Sequence, residues 1–201
     1  MWLESAAPLS FAPWSFFAQT YVSGAITGAD ASAPQTADGA LLLPQVDLCN
    51  AGATRATGTV VFSLRSGGGG TGGGGGAAVV NVSAAFNISA GGWQRVTAPP
   101  TAFGSAASPV ALWNTQPAPP LYVASATAVL DGSGEVADAV AARVGVRSAV
   151  FDPRQGFLLN GVKVQIKGTA NHLGFGGVGM AVPDRVAEFQ VASLRRMGSN
   201  G

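Results

Sequence analysis

Residues 151–201 read FDPRQGFLLNGVKVQIKGTANHLGFGGVGMAVPDRVAEFQVASLRRMGSNG, and the order of signals in this stretch decides how the chain is organised. The dipeptide Asn160-Gly161 predicts a hairpin, because both residues readily accept positive φ at the two central turn positions. Apolar Val164 and Ile166 predict that the chain continues as a short buried strand, ending at Lys167-Gly168. A glycine-rich loop over residues 171–179 is predicted to follow this strand.

A helix is predicted to open at Pro183-Asp184, because proline is tolerated in the first turn, where its missing N–H would be unpaired anyway. The basic pair Arg195-Arg196 suits the negative end of the helix dipole, and Gly198 is a natural stop. An apolar stripe runs along this helix through Val186, Phe189, Leu194 and Met197, with Gln190 and Val191 beside them. Strand, loop, helix and the start of another strand make one β/α unit of a parallel architecture. We therefore predict a second domain over residues 149–201.

The preceding residues, 1–148, carry short alternating or apolar runs between turn residues, without a helical period. In the clearest run, Val60, Phe62 and Leu64 alternate with more polar neighbours and predict a half-buried strand. Residues 121–130 alternate in the same way. Further candidate strands are residues 16–22, 41–50, 93–98 and 136–146, the last after a turn signal at 131–134.

Pro44 falls inside one of these candidate strands and predicts that the strand lies at a sheet edge or contains a bulge. About seven short strands at this spacing are typical of a two-sheet sandwich. We therefore predict a mainly β fold, with an immunoglobulin-like β-sandwich over residues 1–148.

A low-complexity insert, GGGGTGGGGG, occupies residues 67–76. A phosphate-binding loop would require a following Lys-Ser/Thr and the start of a helix, and neither is present. We predict instead a flexible loop between two strands, which costs little stability because loop-closure entropy grows slowly with length.

Composition narrows the classes of function. Of the 201 residues 47% are apolar and 10% are charged, and the net charge of +1 gives no basic surface, so no nucleic-acid partner is expected. No apolar run is long enough to span a bilayer, and Glu4, Pro8 and Pro13 argue against a signal peptide. The single Cys49 excludes an intrachain disulfide. We predict no cofactor and no metal site, while compartment and oligomeric state stay open.

Five local patterns occur in order along the chain. They are Trp2-Leu3-Glu4; Leu112-Trp113-Asn114 with Pro120-Leu121-Tyr122; Val144-Gly145-Val146-Arg147; residues 156–161, continuing to Ile166-Lys167-Gly168; and Glu188 through Met197-Gly198-Ser199-Asn200. Together they resemble glycoside hydrolase family 2, and within it the β-galactosidase-like members. The resemblance implies that residues 1–148 are the immunoglobulin-like sandwich of such an enzyme. It also implies that residues 149–201 begin its TIM-barrel, or (β/α)8, catalytic domain.

The implied activity is retaining hydrolysis of O-glycosidic bonds in carbohydrate metabolism, which uses two carboxyl groups about 5–5.5 Å apart. In the family a jelly roll precedes the sandwich, and both catalytic Glu residues lie on later barrel strands. Of the ten acidic residues in this sequence, those up to Asp152 fall in the sandwich or at its exit. Asp184 and Glu188 fall early in the predicted helix, where capping and dipole roles explain them. We therefore expect a fragment that contains no catalytic residue and is inactive by itself.

His172, the only histidine, is the main candidate for a substrate-binding residue. The run Gly168-Thr169-Ala170-Asn171-His172 resembles the family pattern in which a histidine just past the first barrel strand lines the sugar pocket. Active sites of such barrels lie at the C-terminal ends of the strands, where His172 would fall. Asn171 is a weaker candidate, because asparagine in a glycine-rich loop is often only a turn residue.

Two other interpretations stay open. The chain could be a stand-alone β-sandwich that binds carbohydrate or protein, or a truncated gene model without an independent role. Trp93 and Trp113 could stack on a sugar ring in a binding module, although we expect both to pack in the core instead. The sequence does not reveal which glycoside a full-length relative would cleave.

Overall fold

The computed structural model describes residues 5–67, 76–172 and 174–200. The chain divides into two compact units, Met1–Ser148 and Ala149–Gly201, and each is described by itself. Two features predicted above lie outside the described residues: the motif Trp2-Leu3-Glu4 and the body of the glycine-rich insert, residues 68–75.

Strands dominate the first unit, and over the described residues of the whole chain they far outnumber the residues of the one short helix, so the prediction of a mainly β fold is confirmed. The first unit contains β1 (Leu9–Phe11), β2 (Phe17–Val22), β3 (Ile26–Thr27), β4 (Gln35–Ala37), β5 (Ala40–Asn50), β6 (Ala56–Ser66), β7 (Ala78–Ile88), β8 (Trp93–Thr97), β9 (Thr101–Phe103), β10 (Val110–Leu112), β11 (Tyr122–Leu130) and β12 (Val136–Val144). The second contains β13 (Ala149–Asp152), β14 (Gly156–Leu159), β15 (Val162–Lys163) and the helix α1 (Asp184–Arg196).

A four-stranded antiparallel sheet in the order β12-β11-β6-β7 forms one layer of the first unit. Val60, Phe62 and Leu64 of β6 are at most 1% exposed, because alternate residues of a strand point to the same face. Strand β11 repeats this alternation with buried Tyr122, Ala124, Ala126 and Ala128. The period-two patterns therefore predicted these strands and their inward faces correctly.

The other layer is built around β5, which pairs with β1 and β2 along one edge and with β8 and β9 along the other. Every second residue of β5 is buried, from Ala40 to Asn50. A small sheet in the order β10-β4-β3 adds to this unit.

Pro44 lies inside β5, so the prediction that it marks an edge strand or a bulge was wrong. The Pro44 carbonyl accepts the N–H of Ala98 at 3.2 Å, so the backbone polar groups of Pro44 face the edge occupied by β8 and β9. At this point β8 has ended and β9 has not begun. Proline has no N–H to donate, but on this edge an N–H would point into the gap at Pro99-Pro100. No ladder hydrogen bond is therefore lost.

The core of the first unit lies between these layers, in two groups of side chains. One group includes Leu48 of β5, Phe62 of β6 and Val96 of β8; the other includes Leu42 of β5 and Leu112 of β10. Burial of each such side chain contributes about 1.5–3 kcal/mol relative to leaving it in water. The first unit thus has an apolar interior, in keeping with the 47% apolar content of the full sequence.

The second unit opens with the antiparallel sheet β13-β14-β15. Asn160 and Gly161 connect β14 to β15 with φ of 51° and 78°, so both turn residues have the positive φ that the sequence predicted. Asn160 is nearly fully buried. The predicted hairpin is therefore present, with its predicted turn.

Helix α1 begins after Pro183 and ends with Met197 as its C-cap. Gly198 has φ of +94°, its N–H donates to the Arg195 carbonyl at 3.0 Å, and the N–H of Ser199 donates to the Leu194 carbonyl at 3.1 Å. These two bonds form a Schellman motif, which satisfies carbonyls that the helix leaves free. The predicted start and stop of the helix are both present. Within the described residues, no helix is long and apolar enough to cross a membrane.

The predicted strand over Val164 and Ile166 is not formed as a strand, because β15 ends at Lys163. Val164 still donates its N–H to the Phe157 carbonyl at 3.0 Å, but regular pairing stops there. A strand is defined by pairing along a neighbour, and from the residues after α1 this segment receives only the short contacts of Ser199 and Asn200, set out below.

Candidate functional site

The predicted site residues Asn171 and His172 lie in the irregular segment between β15 and α1, and both are exposed. Neither side chain has a hydrogen-bond partner among residues 5–67, 76–172 and 174–200. The His172 carbonyl accepts the N–H of Gly174 at 2.9 Å. The structure thus places the His172 ring and the Asn171 amide at the surface.

The base of this segment is fixed by the residues that follow α1. The Asn200 N–H donates to the Lys167 carbonyl at 3.0 Å, and the Lys167 N–H donates to Asn200 Oδ1 at 2.7 Å. Asn200 Nδ2 donates to the Gln165 carbonyl at 3.0 Å, and the Ser199 hydroxyl donates to the Lys167 carbonyl at 2.8 Å. The chain after the helix therefore runs beside the segment that precedes His172.

A tight turn follows the candidate residues. Phe175 and Gly179 exchange two backbone hydrogen bonds of 3.0 Å each, and the Val178 N–H donates to the Phe175 carbonyl at 3.2 Å. Gly177 and Gly179 have φ of 89° and 59°, which explains why glycines occupy these positions. This turn and the Asn200 contacts bracket the described loop residues that carry His172.

The carboxylates of the second unit have local structural roles at the surface. Glu188 Oε2 pairs with Arg185 Nη1 at 3.0 Å, one turn along α1. Asp152 accepts the N–H groups of Arg154 and Gln155 at 2.8 Å each, and Asp184 lies in the first turn of the helix. These carboxylates serve a turn, an ion pair and a helix start.

Two carboxylates of the first unit have perturbed acidity, and in both the shift is downward. Hydrogen bonding to the Arg95 guanidinium lowers the pKa of Asp47, against a smaller effect of burial. The Ser32 N–H, and then the Ser32 hydroxyl, lower the pKa of Asp30. A general acid of a glycosidase needs the opposite shift, since it must hold a proton near neutral pH.

The described residues contain no group of three or more His, Cys, Asp or Glu side chains placed to hold a metal ion. The candidate loop does offer hydrogen-bonding groups: a neutral imidazole such as that of His172 has one donor and one acceptor, and the Asn171 amide has two donors and an acceptor. Such groups suit sugar hydroxyls.

The sequence identified Asn200 only as part of a motif and missed its side-chain contacts. The signal was the asparagine two residues beyond the predicted helix stop Gly198, where a short amide can bond a neighbouring backbone. Trp93 was also misjudged: it is 66% exposed, so its expected role in core packing was wrong. It lies on the outward face of β8, opposite Cys49 of β5.

The three comparisons with known proteins gave one negative and two positive results. No family model matches the chain. A β-galactosidase of Bacteroides ovatus is 39% identical over 67 residues, which are 33% of this chain and 8% of the relative. A second curated relative, from Formosa agariphila, is 36% identical over 92 residues, or 46% of this chain and 9% of the relative.

Solved structures match over most of the chain. A β-glucuronidase of Bacteroides uniformis matches 96% of this chain and 21% of its own, with a TM-score of 0.74 and 19% identity. A glycosyl hydrolase family 2 member from Bacteroides cellulosilyticus matches 97% of this chain and 23% of its own, with a TM-score of 0.74 and 22% identity. These likenesses establish the fold.

The chain spans less than a tenth of the curated relatives' length in these alignments and about a fifth of the solved structures. The local sequence identity and the fold agree with the motifs quoted above. The chain is a relative of the glycoside hydrolase family 2 enzymes in local sequence and in fold.

Proposed function

We propose that this chain is part of a retaining, β-galactosidase-like glycoside hydrolase, which hydrolyses O-glycosidic bonds of a carbohydrate substrate. In this proposal residues 1–148 are the immunoglobulin-like accessory sandwich, and residues 149–201 are the first β/α unit of a TIM-barrel catalytic domain. His172 and Asn171 line the sugar pocket of that domain.

One observation carries the proposal: the Asn200 N–H donates to the Lys167 carbonyl at 3.0 Å. In a parallel sheet, a crossover helix returns the chain to the side of the strand that it left. Here α1 separates Lys167 from Asn200, and the backbones meet again after it. This return is what the first two strands of a (β/α)8 barrel require, although pairing has only begun at these two residues.

The position of His172 follows from the same geometry. It lies five residues beyond Lys167, on the side from which the chain leaves the would-be strand. Active sites of these barrels form at the C-terminal ends of the strands. A donor there can bond a sugar hydroxyl, and such bonds strengthen as the oxocarbenium-like transition state forms.

The two carboxyl groups of the reaction are assigned to parts of the parent enzyme other than these 201 residues. Asp152 accepts N–H groups of a turn, Glu188 pairs with Arg185 and Asp184 lies at a helix start. The shifted pKa values of Asp30 and Asp47 are low rather than high. We therefore propose that the 201-residue polypeptide alone has no hydrolase activity.

The test begins with the source transcript beyond the codon for Gly201. The complete product is assayed on aryl β-galactosides and aryl β-glucuronides, beside its His172→Ala variant and the 201-residue polypeptide. We expect the complete product to hydrolyse one of the two classes and the polypeptide to hydrolyse neither. Loss of a pocket hydrogen bond should lower kcat/KM of His172→Ala about 10-fold to 100-fold. A source protein near 20.0 kDa without glycosidase activity would contradict the proposal.

A second candidate function, carbohydrate binding by the sandwich itself, has one observation in its favour. Trp93 is 66% exposed on the outer face of β8, two residues from Arg95, which forms a two-bond pair with Asp47. An exposed ring beside polar side chains suits a sugar face. Quenching or a blue shift of tryptophan fluorescence on adding oligosaccharide, lost in Trp93→Ala but kept in Trp14→Ala, would favour this function.

A further inference from the structure

The side-chain amide of Asn200 contacts two successive backbone groups on one edge of the segment before His172. Its Oδ1 accepts the Lys167 N–H at 2.7 Å, and its Nδ2 donates to the Gln165 carbonyl at 3.0 Å. In an extended segment, the carbonyl of residue i and the N–H of residue i+2 point to the same edge. One amide therefore bonds both groups at once, as the peptide group of a neighbouring strand would.

The main chain of Asn200 adds a third bond, because its N–H donates to the Lys167 carbonyl at 3.0 Å. Gly198 makes this approach possible: its φ of +94° turns the chain out of α1 and brings Ser199 and Asn200 to the segment. The Ser199 hydroxyl bonds the same Lys167 carbonyl at 2.8 Å. Lys167 is thus held at both its N–H and its carbonyl.

We propose that Asn200 is a positioning residue. It fixes the backbone of residues 165–167 and thereby the loop that follows them and presents His172. Few other side chains could replace it. Aspartate lacks the donor for the Gln165 carbonyl, serine has a single hydroxyl, and glutamine is longer by one methylene. Asn200 itself touches no substrate in this proposal. The inference rests on the proposed function only in naming His172 as the residue whose position matters for sugar binding.

The test uses NMR of the 201-residue polypeptide, with the solvent exchange of the Lys167 amide and the ring signals of His172 as readouts. Loss of both side-chain bonds in Asn200→Ala should raise the Lys167 exchange rate about 5-fold to 10-fold, as expected for a net hydrogen bond. The His172 ring signals should shift in the same variant. Gln155→Ala, which removes an exposed amide from the β13–β14 turn, is the matched control and should change neither readout.

Asn200→Asp separates positioning from general folding. The carboxylate keeps the acceptor for the Lys167 N–H but faces the Gln165 carbonyl without a donor. Protonation restores one donor, so the Lys167 protection factor and the His172 signals in this variant should return toward wild type as the pH falls through the carboxyl titration. The basic side chains near this carboxyl are Lys167, whose backbone Asn200 contacts, and the Arg195-Arg196 pair at the end of α1.

The outcomes are distinct. A change at Lys167 and His172 with unchanged protection in the β13–β14 hairpin supports the proposal. Unchanged exchange at Lys167 in Asn200→Ala overturns it. If Asn200→Ala unfolds the whole second unit, the pH-dependent recovery of Asn200→Asp decides, and the absence of recovery overturns the proposal. None of these readouts uses a sugar, so a failure of the proposed function, seen as no glycosidase activity, is a separate result.

Discussion

The guanidinium carbon of Arg147 lies 4.6 Å from the ring centroid of Trp113, a cation–π contact. The backbone N–H of Trp113 also donates to the Val146 carbonyl at 2.8 Å. Two of the sequence motifs that resemble the family, residues 112–114 and 144–147, are therefore one packed structure. Their separate appearance in the sequence has a common physical cause, because each supplies half of the contact.

Gly145 is required by this contact, and Gly145→Ala should destabilise the sandwich. An added Cβ would lie 2.7 Å from both Cβ and Cγ of Trp113, closer than real Cβ atoms approach. We expect a loss of about 1–3 kcal/mol in the free energy of unfolding, the usual range for overpacking. Urea unfolding measures it. Gly176→Ala, at a site with nothing within 4 Å, is the control and should leave the urea midpoint of the sandwich unchanged. Equal midpoints for both variants would contradict the packing account.

The buried Tyr122 hydroxyl holds the backbone of Ala111 at both polar groups. It accepts the Ala111 N–H at 3.0 Å and donates to the Ala111 carbonyl at 3.3 Å. Tyr122→Phe leaves both groups without this partner, and we expect a loss of about 1–3 kcal/mol in urea unfolding. Tyr21→Phe, at a tyrosine that is 46% exposed, is the control.

The ionisation of Tyr122 should also make the free energy of unfolding depend on pH in the alkaline range. Burial raises the pKa of Tyr122, against a smaller lowering by the Ala111 hydrogen bond. The folded state therefore keeps the phenolic proton more tightly than the unfolded state. This stability is complete below the unfolded pKa of about 10 and is lost as the pH rises through the folded pKa. In Tyr21→Phe, where Tyr122 is the only tyrosine, ultraviolet absorbance should report its ionisation together with unfolding. Tyrosinate absorbance near pH 10 in a fully folded protein would contradict this.

The Asp47–Arg95 pair should contribute little to the free energy of unfolding, and its contribution should depend on pH. Arg95 Nε lies 2.7 Å from Asp47 Oδ1, but the two side chains are 56% and 21% exposed, so solvent screens the pair. We expect Asp47→Asn to cost about 0.2–1 kcal/mol at low salt and less in 1 M NaCl.

Because the Arg95 hydrogen bond lowers the pKa of Asp47, this contribution is present above the unfolded pKa of about 3.9 and is lost as the pH falls through the folded pKa. Urea midpoints at pH 7 and pH 3 measure the difference between wild type and Asp47→Asn, with Glu135→Gln as an exposed control. A difference that is the same at both pH values would rule out the pair as its source.

Helix α1 should promote weak association of the 201-residue polypeptide. Phe189, Val191 and Met197 are 62%, 63% and 75% exposed, so three of the six residues in or beside the predicted apolar stripe are uncovered. Exposed apolar patches favour contact with other surfaces. We expect sedimentation velocity to detect a concentration-dependent shift that Phe189→Ser with Val191→Ser reduces. Amide exchange should be fast from Asn171 onward. A concentration-independent monomer with slow exchange across α1 would contradict this.

The sequence predicted best where one local rule decided the structure. Alternation over Val60, Phe62 and Leu64 identified a strand and its buried face, because one side of that strand meets the core. The hairpin turn at Asn160-Gly161 and the helix stop at Gly198 were predicted correctly, because positive φ is costly for most other residues.

It failed where the answer depended on distant residues. Pro44 lies in a central strand only because β8 and β9 break opposite it, some fifty residues later in the chain. The contacts of Asn200 could not be read from the motif, since they depend on where the chain emerges from α1. The roles of Asn171 and His172 in sugar binding stay predictions. The structure places both side chains at the surface, where no side-chain contact within the described residues defines a role.

The most direct test of the central claim is the stereochemistry of the reaction catalysed by the native protein, isolated from its source with an antibody against the sandwich. Proton NMR follows the first sugar released from an aryl β-galactoside and from an aryl β-glucuronide. A retaining glycosidase releases the β-anomer first, before mutarotation, and this is the result that we predict for one of the two substrates. Release of the α-anomer, or no hydrolysis of either substrate by the purified native protein, would contradict the account.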